Sequence, residues 1–64
     1  MEREIIKDNR GMIIGFLEPQ PDGSIYVRNA NGFLLGRYDK LSDYTIDANG
    51  RFLYKGNRAM MLLR

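Results

Sequence analysis

A four-residue pattern recurs along the chain: a short polar side chain, two variable residues, then glycine. It reads Asp8-Asn9-Arg10-Gly11, Gln20-Pro21-Asp22-Gly23, Asn29-Ala30-Asn31-Gly32 and Asp47-Ala48-Asn49-Gly50. In a type I turn followed by a left-handed residue, Asp or Asn at the first position accepts a backbone hydrogen bond. Proline suits the second position, Asn or Asp the third, and glycine takes the positive φ of the fourth without a Cβ penalty. That combination makes a hairpin loop with a G1 bulge. Asn31-Gly32 and Asn49-Gly50 also suit two-residue type I′ turns, so the pattern specifies hairpins more firmly than it specifies their loop type.

Between the turns lie short segments rich in β-branched, aromatic and Leu residues: Ile5-Ile6-Lys7, Met12 to Leu17, Ser24 to Arg28, Phe33 to Tyr38, Tyr44 to Asp47 and Arg51 to Lys55. Each has the usual length of a strand, and none is long enough for an amphipathic helix. Asp39-Lys40-Leu41-Ser42 supplies a further turn built on an Asp side chain. The expected fold is all-β, an antiparallel meander of five or six short strands. The stretch from Asn57 to Arg64 breaks the β pattern: Asn57 is a cap, and Ala59, Met60, Met61, Leu62 and Leu63 favour helix. A short C-terminal helix or tail is expected there, too short to stand without docking on its own sheet or on a second subunit.

The strands do not alternate cleanly. Met12, Ile14 and Phe16 fall on one face by simple counting, and Ile13, Gly15 and Leu17 on the other; Phe33 and Leu35 likewise oppose Leu34, Gly36 and Tyr38. Apolar residues on both faces predict a sheet that curls into a small barrel, folds into a sandwich, or is covered by another chain. Gly15 and Gly36 fit a sharp bend or a close backbone approach. Gly11-Met-Ile-Ile-Gly15 and Gly32-Phe-Leu-Leu-Gly36 share one frame, with Gly50-Arg-Phe-Leu-Tyr-Lys-Gly56 a looser third copy, which reads as hairpins built to one recipe.

Residues 1–64 make a single small domain. A chain of this size buries only about 60% of the surface its unfolded form exposes, and such chains usually add disulfides, a metal or a partner subunit. There is no cysteine and no histidine. Disulfides, the common zinc geometries, the Ser-His-Asp triad and thiolate chemistry are therefore excluded. Glu2, Glu4, Glu18, Asp8, Asp22, Asp39, Asp43 and Asp47 leave two-carboxylate hydrolysis formally open. Such a pair needs a walled cleft about 5–10 Å across, and few residues remain to wall one. The expectation is a protein that is not an enzyme and holds no cofactor.

Thr45-Ile-Asp47-Ala-Asn49-Gly50 has the outline of a calcium loop, but its first ligand is Thr and Gly56 stands where a bidentate Glu is required, so it reads as a turn. No phosphate-loop pattern is present, and Glu18-Pro19-Gln20-Pro21 reads as a stiffened loop. No stretch reaches the roughly 18 apolar residues of a membrane span. Read as a complete chain without a signal sequence, the protein is expected in the cytoplasm, away from membranes.

Gly32-Phe-Leu-Leu-Gly36-Arg-Tyr38-Asp39, Thr45-Ile-Asp47-Ala-Asn49-Gly50-Arg51, Gly56-Asn57 and the apolar Met60 to Leu63 form a frame over half the chain. This frame resembles small bacterial and phage-associated β-hairpin repeat domains. Asp47-Ala-Asn-Gly-Arg-Phe is also similar to a single YD repeat of large bacterial surface and toxin shells, except that Ile46 stands where the aromatic residue is required. The resemblance implies a small β domain and brings no catalytic residues.

Two functions remain. The first is a structural or protein-interaction module that self-associates, as a homodimer, through Met60, Met61, Leu62 and Leu63 and exposed faces of the sheet. The alternative is a small β-barrel that binds nucleic acid through Tyr26, Arg28, Arg37, Tyr38 and Arg51, stacking bases on aromatic rings. Ten Lys and Arg against eight Asp and Glu give a net charge of only +2, spread along the chain and not clustered. Aromatic residues in strands are first of all core and cross-strand residues. The interaction module is the leading expectation.

Overall fold

A computed structural model describes residues 3–63. Six strands follow one another: β1 (Glu4–Lys7), β2 (Ile13–Pro19), β3 (Ile25–Asn29), β4 (Leu34–Asp39), β5 (Tyr44–Asp47) and β6 (Phe52–Lys55), then a 3₁₀ helix over Ala59–Leu63. They form one sheet in the order β1-β2-β3-β4-β5-β6, each strand antiparallel to the next. The expected all-β meander is present, with six strands. Its ends do not meet: β1 and β6 are the two edges, so the sheet is not a closed barrel, and the described residues form no second sheet to complete a sandwich. An open sheet meets its apolar faces another way, by folding the chain's end back over one of them.

Hairpins β1-β2, β3-β4 and β5-β6 share one construction. Asp8 N donates to Met12 O at 2.9 Å and Gly11 N to Asp8 O at 3.0 Å; Asn29 with Phe33 and Gly32, and Asp47 with Arg51 and Gly50, repeat both bonds. In each, Oδ1 of the first residue accepts two further amides. Those donors are Arg10 and Met12 for Asp8, Asn31 and Phe33 for Asn29, and Asn49 and Arg51 for Asp47. The turn glycines have φ between 83° and 88°, as the type I plus G1 reading requires. The Gln20 turn keeps the backbone bonds, but here Asp22 Oδ1 accepts from Ser24 N at 2.8 Å.

Each of these three hairpins also carries a bulge at the third residue after its turn glycine. Ile6 pairs Gly15 but Lys7 pairs Ile13, which leaves Ile14 extra; Leu35 and Leu53 are extra in the same way. The bulge reverses the parity of the strand. Ile13, Leu34 and Phe52 therefore lie on the face opposite to that of Gly15, Leu17, Gly36 and Tyr38, and counting along β4 had placed Leu34 with Gly36 and Tyr38.

One face is covered. Leu17, Val27, Tyr38 and Ala59 form the core, with Ile6, Ile25, Leu35, Leu62 and Leu63 packed against it. The 3₁₀ helix lies over β2, β3 and β4. It can approach closely because Gly15 and Gly36 have no side chains: a β-carbon on Gly15 would collide with Leu63, and one on Gly36 would press on Leu62 at 3.0 Å. Thr45 ties the connection down. Fully buried, its Oγ1 donates to Gly56 O at 2.9 Å and accepts from Arg58 N at 2.8 Å.

Candidate functional site

The other face of the sheet has no covering element among the described residues. Cross-strand register places four rows on it: Lys7 and Ile13; Ile5, Phe16, Arg28 and Leu34; Glu18, Tyr26, Arg37, Ile46 and Phe52; and Asp39, Tyr44 and Lys55. Ile46, flanked in register by Arg37 and Phe52, is only 1% exposed, whereas Ile5, Leu34 and Phe52 are 52%, 43% and 59% exposed. The rings of Tyr44 and Phe52 lie 5.2 Å apart at 55°, a tilted pair of the kind aromatic quadrupoles favour.

Part of the charge on this face is paired. Glu18 accepts from Arg28 Nε at 2.8 Å and from Arg3 Nη2 at 2.6 Å, and the Arg3 guanidinium stacks on Phe16 at 4.6 Å. The hydrogen bond from Arg28, then that from Arg3, holds the Glu18 carboxyl below its ordinary range despite the opposing effect of burial. Arg28 spends a second donor on Gly32 O at 3.1 Å, and Lys55 sits 5.0 Å over the ring of Tyr44. Arg37 makes no ion pair among the described residues. It opens, with Tyr26, Asp39, Ser24 and Pro21, onto a shallow cleft of about 270 Å³.

The residues singled out in the sequence separate. Tyr26, Arg28 and Arg37 do share the open face, with Tyr26 directly across from Arg37. Tyr38 does not share it. Consecutive strand residues point to opposite faces, and Tyr38 is a core residue, 6% exposed, whose hydroxyl donates to Asp43 Oδ1 at 2.7 Å. That bond, followed by burial and by the charges of Asp43 and Asp39, pushes its pKa up. Arg51 lies beyond the strands, at the tip of the β5-β6 hairpin.

The tail divides similarly. Leu62 and Leu63 pack on the chain's own sheet over Gly36 and Gly15, so the four-residue self-association set loses them to the core. Met60 and Met61 remain 39% and 42% exposed, beside an apolar cleft of about 340 Å³ between the 3₁₀ helix and Leu17 and Ile25. Of the carboxylates, Glu2 lies outside the described residues. Among the described ones no three acidic side chains converge where a metal could be held. No helix of the described chain is long and apolar enough to cross a membrane.

What the sequence did not single out is the set of residues immediately after the turn glycines. Met12 is 62% exposed, Ile13 44% and Phe33 69%. The signal was available, since Met12-Ile13, Phe33-Leu34 and Arg51-Phe52 occupy the same two positions of the shared frame. Simple alternation concealed it by placing Ile13 with Gly15 and Leu17, and Leu34 with Gly36 and Tyr38. No family model, curated protein or solved structure matches the chain.

Proposed function

We propose that the protein is an interaction module that self-associates through its uncovered side, a short hairpin repeat whose role is to bind and not to catalyse. The observation that carries this reading is the asymmetry of the sheet. One face is sealed by the chain's own 3₁₀ helix, while the other leaves Ile5, Ile13, Leu34 and Phe52 in water. Exposed apolar side chains that share one sheet face mark contact surfaces more often than scattered ones do; Leu41, Leu53, Tyr54, Met60 and Met61 are exposed elsewhere on the domain. A small core adds the energetic motive, because a partner supplies burial that a chain of this length cannot supply alone. Molar mass by light scattering after size exclusion, across a concentration series, tests the reading. A mass near twice 7.4 kDa is expected, and a mass that stays at one chain at every concentration would remove it.

A second reading has one observation in its favour: Tyr26 lies directly across from Arg37, whose guanidinium has no acidic partner among the described residues. An aromatic platform beside an unpaired guanidinium is the minimal unit for stacking and holding a single strand. Arg28 contributes less, because Glu18 already neutralises it. Binding of a single-stranded oligonucleotide that weakens steeply between low and moderate salt would establish this reading. No binding at low salt would dismiss it.

A further inference from the structure

The three like-built hairpins are stepped. Gly15 lies opposite Ile6 on one side and opposite Asn29, the first residue of the next turn, on the other; Gly36 lies in the same way between Val27 and Asp47. Each tip therefore projects past the next by the two residues that separate Ile6 from Asp8, or Val27 from Asn29, roughly 7 Å. Met12 to Ile14 thus run beyond the β3 ladder, and Phe33 to Leu35 beyond the β5 ladder, with no strand beside them on that side. The overhang leaves Met12, Ile13, Phe33 and Leu34 exposed.

From this geometry we infer that the open-face side of the stepped rim, formed by Ile13, Leu34 and Phe52, is the self-association surface, and that its occupant is the same rim of a second copy. The inference rests on the self-association reading above and locates it away from the C-terminal tail. Charge favours this occupant. Where a patch that meets itself across a two-fold axis carries charge, both signs favour the contact, since each group faces a symmetry-related copy of its own neighbours. This rim carries both. Asp8 and Asp47 begin two of its turns, and Arg10 and Arg51 stand beside them. Each carboxylate spends only Oδ1 on the turn; Asp8 Oδ2 has Arg10 at 3.6 Å, while Asp47 Oδ2 and the Arg51 guanidinium have no partner among the described residues.

The edges of the sheet are poorer candidates. Gly15 opposes Asn29, and Gly36 opposes Asp47. Continuing that register outward from β6 would set Tyr54 against Asp8 of a second copy and Lys55 against its Lys7. Like charges would then face each other, and Gly56, with φ 81°, turns the chain away immediately afterwards. The sheet therefore ends at β6.

The test uses the full chain and the double substitution Ile13→Asp with Leu34→Asp, in side chains that are 44% and 43% exposed. The wild type is expected near twice 7.4 kDa and the variant at one chain, with an unchanged far-ultraviolet spectrum. A variant that keeps the wild-type mass overturns the rim while leaving self-association standing. A wild type that is a single chain at all concentrations overturns both. A dilution series followed by amide chemical shifts on the unmodified protein needs no variant to fold. Shifts centred on Ile13, Leu34 and Phe52 support the rim, and shifts confined to Met60 and Met61 overturn it.

Discussion

Leu63 fills the space over Gly15 that a β-carbon would occupy. The Arg28 carbonyl closes the same space from the sheet side. The absence of a side chain at one strand position is therefore what lets the C-terminal 3₁₀ helix reach the core, and Gly36 repeats the arrangement under Leu62. Gly15→Ala is expected to destabilise by about 1–3 kcal/mol through overpacking, a large share of what a domain this small has to lose. Urea unfolding measures it. Because the carbonyl remains, adding Leu63→Ala should not restore the wild-type midpoint, and full rescue would show that the helix alone sets the constraint.

Thr45 holds the start of the tail from below, bonded to Gly56 and Arg58 while wholly buried. Thr45→Val keeps the shape and leaves a carbonyl and an amide without partners, at a cost of about 1–3 kcal/mol. The loss should appear first in the tail. Amide exchange at Ala59 to Leu63 should accelerate more than exchange in β3; uniform acceleration across the sheet would contradict a local tether.

The strands, turns and meander order are legible in the sequence because each is specified locally, by four residues at a turn or five in a strand. The faces are not. A bulge adds one residue without any strong sequence mark, and every side chain beyond it changes sides. That is why Leu34 counts onto the wrong face of β4. The pairing of Arg37 with Tyr38 as a joint binding surface fails for a simpler reason, since neighbours in a strand cannot share a face. The fate of the tail was open because composition alone does not say which surface receives Leu62 and Leu63. Gly15 and Gly36 carry that information, and their positions become meaningful only when the register sets both beneath the same short helix.

The three Asx turns offer a matched series. Asp8, Asn29 and Asp47 each accept two backbone amides through Oδ1 alone. Exchanging Asp for Asn at Asp47, or Asn for Asp at Asn29, keeps that acceptor and should change stability little. Alanine at each position should cost about 0.5–1.5 kcal/mol. Urea midpoints across the five variants check this, and an Asp47→Asn loss as large as Asp47→Ala would assign the effect to charge instead of hydrogen bonding.

Glu18 and Tyr38 give stability opposite dependences at the two ends of the pH scale. Arg28 and Arg3 favour ionised Glu18 in the folded state, so its folded pKa lies below its unfolded one. That contribution is present above the unfolded value and disappears as pH falls through the folded value. Arg3 is half exposed in this pair, which limits the effect to about 1 kcal/mol or less and makes it sensitive to salt. Tyr38 behaves in the reverse sense. Its neutral hydroxyl donates to Asp43, so the folded pKa is raised; the contribution is present below the unfolded value, near pH 10, and is lost as pH rises through the folded one. Urea midpoints of Glu18→Gln should therefore converge on the wild type in acid, and those of Tyr38→Phe should converge on it in alkali. Divergence in either of those limits would show that the residue's partner in the folded state has been misassigned.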